Sequence, residues 1–199
     1  LVDSGGTNIG SVRYALERLG IDAPVTHNAE LIRSASHVIL PGVGASGRAM
    51  DKLKSGNLDK ALDEAVRKNA VPFMGICVGM QLLAEDLYEF GHHKGLGWVP
   101  GKVISLNDYE ITDRPVPHMG WSDVGFKDNA QGLAAKLGKH KAFYFAHTFP
   151  LVTDKTEIIN STVGYGRDLV AGISFDTVSA FQFHPEKSQS AGLALLHNF

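Results

Sequence analysis

The sequence predicts an α/β fold: an open, mostly parallel sheet flanked by helices, with an antiparallel extension in the second half. Three observations carry this. Short apolar, β-branched runs alternate with stretches of helical periodicity through the first 80 or so residues, the pattern of βαβ units. Two of those runs, Val38–Leu40 and Val71–Ile76, end in glycine-containing turns. Beyond them Pro100, Gly101, Pro115, Pro117, Gly120, Gly125 and Pro150 divide the chain into short pieces suited to antiparallel strands.

In order, Leu1-Val2-Asp3 reads as the end of a strand, and Ile9, Val12, Leu16 and Leu19 recur at helical spacing until Gly20 stops them. Ala23–Thr26 is a further strand candidate. Leu58–Lys68 places Leu58, Ala61, Leu62 and Ala65 on one helical face. Later strands are expected at Lys141–Ala146, Glu157–Val163, Val170–Phe175 and Val178–Phe183, with a closing helix over Ser190–His197. No repeat, low-complexity tract or linker interrupts the chain, so residues 1–199 are expected to form a single domain.

A chain of 199 residues with 44% hydrophobic and 20% charged residues can bury a core without staples. The net charge of −2 provides no field for phosphate backbones or anionic lipid, so nucleic-acid and membrane partners are not expected. One cysteine excludes an internal disulfide framework. Together with the lack of a signal-like or 18-residue apolar segment, it suggests a cytoplasmic protein.

The lone cysteine sits in a telling place. Val71–Ile76 is an apolar strand, Gly75-Ile76-Cys77-Val78-Gly79 a sharp turn, and Met80-Gln81-Leu82-Leu83 the start of a helix. This is a nucleophile-elbow design with sulfur in place of hydroxyl. A helix N-terminus favours thiolate over thiol. A buried structural cysteine is the ordinary alternative, and the flanking glycines argue against it.

A thiolate nucleophile needs a proton shuttle, and Phe181-Gln182-Phe183-His184-Pro185-Glu186 supplies one. Pro185 biases His184 toward an extended backbone, where residues i and i+2 point the same way. Glu186 can then fix the imidazole tautomer, completing a Cys-His-Glu arrangement. Leu40-Pro41-Gly42-Val43-Gly44 stands at another strand end, where glycines let backbone N–H groups face a developing oxyanion. The N–H of Val78 would be the second donor.

Gly-Ile-Cys-Val-Gly-Met-Gln and the later His-Pro-Glu resemble the signature of class I (triad) glutamine amidotransferases, whose fold is flavodoxin-like. The resemblance spans essentially the whole chain. Pro41–Gly44, Pro117-His118-Met119-Gly120-Trp121, His184-Pro185-Glu186-Lys187-Ser188 and the ending Leu195–Phe199 resemble the histidine-biosynthetic branch. The resemblance implies Cys77, His184 and Glu186 as the catalytic triad and Gly42, Val43, Gly44 and Val78 as the oxyanion hole. It further implies that Gln81, Glu89 and Thr148 hold the substrate glutamine, with Glu89 as a plain surface acid still open.

It implies no cofactor and no metal. His92, His93 and His118 lack ligand-like companions and read as solvated loop histidines. Released ammonia must reach an acceptor before water protonates it, and no acceptor domain is expected in this chain. The resemblance therefore implies a (β/α)8-barrel cyclase partner, making imidazole glycerol phosphate and an aminoimidazole carboxamide ribotide. Pro117, Met119, Trp121, Tyr144 and Lys187 are the implied docking face. For Trp121 a buried core aromatic is the alternative. Three departures accompany the match: Phe149 stands where tyrosine is expected, Ser122 where asparagine is usual, and the opening strand is short, as though the sequence began inside it. Three other readings share parts of the pattern: a glutaminase feeding pyridoxal phosphate synthesis, a non-catalytic regulatory subunit, and a stand-alone cysteine hydrolase.

Overall fold

Helix α1 (Ile9–Glu17) buries Val12, Ala15 and Leu16, and the chain then turns at Gly20, whose φ of 76° is one that glycine adopts freely. The computed structural model describes residues 1–5, 8–111, 113–127, 133, 137 and 140–199. Helix α2 (Ala29–Arg33) starts where the Asn28 side chain accepts the Glu30 N–H at 2.8 Å. Strand β1 (Val38–Gly42) leads to α3 (Ser46–Ser55) and α4 (Leu58–Leu62). The expected helix over Leu58–Lys68 is present, but its second half, Asp63–Lys68, is wound as a π-helix. Strand β2 (Phe73–Cys77) and the single turn α5 (Val78–Gln81) follow.

The rest is mostly strand: β3 (Ala84–Leu87), β4 (His93–Lys94), β5 (Val99–Val103), β6 (His118–Phe126), β7 (His140–His147), β8 (Leu151–Val152), β9 (Ile159–Tyr165), β10 (Arg167–Phe175) and β11 (Val178–Phe181). A 3-10 turn over Pro185–Lys187 precedes α6 (Gln189–Asn198). Among the described residues no helix is long and apolar enough to cross a membrane.

The main sheet has seven strands in the order β1-β2-β11-β10-β9-β6-β7. Parallel pairing joins β1 to β2 and β2 to β11. Every residue of these three strands is buried, as expected of strands covered on both faces. Antiparallel pairing carries the sheet onward through β10, β9, β6 and β7, so the extension is its larger part. A second sheet, β4-β3-β5-β8, lies outside the sequence-based expectation.

Two expected strands are reduced. Leu1–Asp3 and Ala23–Thr26 meet only at an isolated Val2–Thr26 bridge, although the Val2 N–H also donates to the Ile39 carbonyl at 2.9 Å.

The topology positions the site. Strand β11 comes from the far end of the sequence yet lies directly beside β2, with Phe181 opposite Ile76. Residues 182–184 therefore emerge past the carboxyl end of β2, beside Cys77, where open α/β sheets bind ligands. Stacked and tilted rings of Phe143, Phe145, Phe181 and Phe183 fill the core beneath that segment.

Candidate active site

Cys77 is the last residue of β2 and the residue before α5, and its backbone has φ 52° and ψ −106°. For a residue with a Cβ this conformation costs on the order of 1–3 kcal/mol, held only because the surroundings leave no alternative. Two glycines allow it. A Cβ on Gly79 would lie 1.8 Å from the Leu40 carbonyl oxygen, and one on Gly75 would lie 2.8 Å from that of Gly79. Strand β1, the turn and α5 thus approach at backbone distance, as the Gly-x-Cys-x-Gly spacing predicts.

The expected acid-base pair, His184 and Glu186, follows the end of β11. The Nδ1 of His184 lies 2.8 Å from the Oε1 of Glu186, and the two side chains are 1% and 0% exposed. Backbone contacts hold the imidazole's own residue still. The His184 N–H donates to the Tyr144 carbonyl at 2.8 Å, and the Ser188 hydroxyl donates to the His184 carbonyl at 2.6 Å. Ser188 Oγ also accepts the Tyr144 N–H at 3.0 Å.

Burial opposes a charged His184, but the Cys77 sulfur and the Glu186 carboxylate outweigh it through hydrogen bonding and charge, raising its pKa to about 10. An imidazolium at neutral pH is the environment in which a neighbouring sulfur reacts as thiolate.

The proposed oxyanion strand is adjacent. Gly42 pairs in register with Cys77, a Cβ there would fall 2.9 Å from that of Val78, and Gly44 has a φ of 99°. Val78 is the first residue of α5. Of the three residues expected to hold glutamine, Gln81 is buried one turn beyond Cys77, its amide donating to the Phe149 carbonyl at 2.7 Å. Thr148 lies beside that carbonyl in sequence. The Glu89 carboxylate takes the N–H of Ser46, at the start of α3, at 2.7 Å. The structure thus gives Glu89 a partner in the segment just after Gly44, which the plain surface acid lacked.

The expected docking residues also come together. Trp121 on β6 is paired with Tyr144 on β7, and their rings meet edge to face with centroids 6.1 Å apart. The Lys187 ammonium lies 6.0 Å from the Tyr144 ring. Met119 and Trp121 are 64% and 48% exposed, so Trp121 is not a core aromatic. Pro117 is exposed immediately before β6.

Two sequence-based readings are corrected: His93 is a half-buried member of β4 rather than a solvated loop residue, and His118 departs further. His118 is not a solvated loop residue but a buried member of β6, because strand alternation turns it inward while Met119 and Trp121 turn out. It stacks against Phe145 and Tyr165 and bonds Ser122 Oγ at 2.9 Å and His147 Nε2 at 3.2 Å. His92, by contrast, is exposed and pairs with Asp86.

Sequence reasoning passed over two residues that touch Cys77 and Glu186. The Gln182 amide donates to Cys77 Sγ at 3.6 Å. Its signal was available, since Gln182 precedes His184 by two residues, the same spacing that marks Glu186. Asn8 donates from Nδ2 to Glu186 Oε1 at 2.5 Å. Nothing local announces that contact, because an asparagine before a helical run reads simply as a cap.

Comparison with known proteins identifies the family. The family model described as glutamine amidotransferase class-I matches residues 1–199. The imidazole glycerol phosphate synthase subunit HisH of Aquifex aeolicus is 40% identical over 200 residues, covering 100% of this chain and 94% of that protein. The same subunit of Syntrophotalea carbinolica is 37% identical over 202 residues, covering 100% and 97%. Among solved structures, a glutamine amidotransferase superposes with a TM-score of 0.76 at 18% identity, over 99% of this chain and 97% of that one. The glutaminase domain of Trypanosoma brucei CTPS gives 0.64 at 16% identity over 98% and 89%; at such identities the likeness concerns the fold. A cysteine on a glycine-walled elbow, met by a histidine and glutamate from a distant strand, thus stands in a chain that belongs to the class-I glutamine amidotransferase family, among the HisH subunits of imidazole glycerol phosphate synthase.

Proposed function

We propose that Cys77, His184 and Glu186 are the triad with which this chain splits glutamine, and that the ammonia passes to a cyclase partner docked on the face of Pro117, Met119, Trp121, Tyr144 and Lys187. The chain is the glutamine amidotransferase subunit of an imidazole glycerol phosphate synthase, working in histidine biosynthesis. One observation carries the mechanistic reading: His184, with Glu186 behind it, is buried beside the sulfur of a cysteine held in a strained elbow.

The Cys77 thiolate attacks the side-chain carbonyl carbon of glutamine. A C–S bond forms, and the negative charge on the carbonyl oxygen meets N–H donors from Gly42–Gly44 and Val78. His184 then gives its proton to the departing nitrogen, the C–N bond breaks, and ammonia leaves a glutamyl thioester. Neutral His184 next takes a proton from water, whose oxygen attacks the thioester carbon. Glutamate is released, and the sulfur departs as thiolate beside a reprotonated imidazole. Glu186 holds the imidazole tautomer throughout. Gln81, Glu89 and Thr148 are the residues we assign to glutamine binding.

Met119 and Trp121, large apolar side chains left open on β6, support the docking assignment. The Tyr144 backbone holds His184 directly, so a partner pressing on this face acts one residue from the base. Glutamate release is to be measured from the free chain, from its complex with the cyclase, and from the complex with acceptor nucleotide bound. The expected result is slow release from the free chain and about a hundredfold or more in the loaded complex, the scale of one oxyanion donor moving into place. We assign that movement to Pro41–Gly44, whose glycines permit a peptide to turn its N–H toward the oxyanion, and equal rates in all three would remove this gating role.

A further inference from the structure

We infer that Asn8 is a positioning residue of the triad, its side-chain amide fixing the Glu186 carboxylate that orients His184. The inference rests on the triad reading above. It starts from an anomaly in α1. Asn8 occupies the N-cap, and its carbonyl accepts the N–H groups of Ser11 and Val12 at 3.2 and 3.4 Å, yet its side chain makes no capping hydrogen bond. Asparagine is among the best capping residues. Here that bond is forgone, and the amide turns away to donate to Glu186 Oε1 at 2.5 Å.

What it reaches explains the choice. The Glu186 side chain is 0% exposed, and its Oε2 has no hydrogen-bond partner among the described residues. No lysine or arginine among those residues pairs with it. The buried carboxylate is therefore served by two donors on the same oxygen, the His184 Nδ1–H and the Asn8 amide. With both on Oε1, rotation of the carboxylate is blocked and Nδ1 keeps its proton, leaving Nε2 as the nitrogen that can work on sulfur and substrate. Asn8 Nδ2 is also 3.5 Å from His184 Nδ1, so the three groups form one cluster across 176 residues of sequence. Without Asn8 the carboxylate keeps a single donor and is free to swing, and the imidazole loses its fixed orientation.

The test compares Asn8→Asp, Asn8→Ser and Cys77→Ala in the full chain with its cyclase partner, reading glutamate release against pH and thermal unfolding. Asn8→Asp keeps the shape but replaces the donor with a like charge facing Glu186. Asn8→Ser is too short to reach Glu186 but is competent to cap α1. We expect kcat to fall about ten- to a hundredfold in Asn8→Ser, the scale of a lost hydrogen bond to a charged group, and further in Asn8→Asp. The KM for glutamine should change little, and the alkaline limb of the rate profile should move to lower pH in Asn8→Ser, where Glu186 swings from the ring, and to higher pH in Asn8→Asp, whose added carboxylate takes the place of an amide 3.5 Å from His184 Nδ1. The Tm of Asn8→Ser should hold or rise. If both Asn8 variants keep kcat and the alkaline limb while Cys77→Ala is inactive, the triad stands and the role of Asn8 falls. Lost activity with a lowered Tm and an unmoved alkaline limb would make Asn8 a structural residue and overturn the inference equally. Full turnover in Cys77→Ala would instead sink the triad reading itself.

Discussion

His184 and the His118–His147 pair lie in neighbouring parts of the same half of the molecule and are buried alike, at 1%, 1% and 5% exposure, yet they take opposite charge states. Burial penalises the imidazolium in all three. At His184 a carboxylate and a sulfur stand against the ring and carry its pKa to about 10. At His118 burial acts alone and the value falls to about 4. At His147 burial, reinforced by the charges of His118 and His184, brings it to about 3. The rings around His118, those of Phe145 and Tyr165, offer packing but no counter-charge. Burial therefore does not decide whether a histidine serves as a proton carrier here; an adjacent anion does. One pocket is built to hold a proton and the other to exclude one.

Removing the sulfur should have the largest effect. Cys77→Ala is expected to abolish glutamine-dependent synthesis, a loss of about 10⁶-fold if the triad acts as a unit, while synthesis from added ammonia continues. Product formation by the complex with either nitrogen source decides it, and surviving glutamine-dependent turnover would refute the assignment.

The next effect isolates the counter-charge. Glu186→Gln should reduce glutaminase kcat by roughly 10⁴-fold, as loss of the orienting carboxylate does in comparable triads, and His184→Ala should reduce it more. Glu186→Gln should also shift the alkaline limb of the rate profile downward, making His184 resemble His118. Steady-state kinetics across pH check both parts. Equal losses in the two variants would show that Glu186 does more than orient.

The smallest effect concerns stability. His118 and His147 have folded-state pKa values below the unfolded 6.5, so the unfolded chain binds more protons in that range. Their contribution is complete above pH 6.5 and is lost as pH falls toward about 4 and about 3. His184, raised above 6.5, contributes fully below that pH and loses its contribution as pH rises through about 10. A His118→Gln, His147→Gln double variant should therefore be less steeply destabilised between pH 6.5 and 4, each imidazole accounting for up to about 1.4 kcal/mol per pH unit. Denaturant unfolding at stepped pH measures the slope. An unchanged acid limb would mean that the pair does not exclude protons as the comparison requires.

The elbow was legible in sequence because its causes are local. Gly75 and Gly79 flank Cys77 within five residues, and the contacts that forbid a Cβ at each involve the turn itself and the neighbouring β1. His184 and Glu186 were legible from their two-residue spacing around Pro185, but the local geometry differs from the extended segment expected: His184 is extended, and the 3-10 turn over Pro185–Lys187 brings Glu186 against the imidazole. Gln182 stands two residues before His184, in the bend that follows β11, and that spacing could have drawn attention to it. The helices α1 and α6 and the strands β1, β2, β7, β9, β10 and β11 follow from apolar periodicity and came within a few residues of their expected limits.

Other features have no local cause. That β11 inserts between β2 and β10, so that residue 184 meets residue 77, is a choice among strand pairings that periodicity leaves equivalent. The second sheet is assembled from strands of two to five residues, too short to show a period. His118 looks like any polar residue until β6 pairs on both edges, after which alternation commits it to the interior. Asn8 looks like a helix cap until the turn of Glu186 arrives beside it. The sequence by itself determined which residues could carry the chemistry, because backbone sterics and side-chain spacing act over a few residues. Only the tertiary structure decided which of them meet and which histidine keeps a proton, because long-range pairing sets the contacts and buried neighbours set the charge.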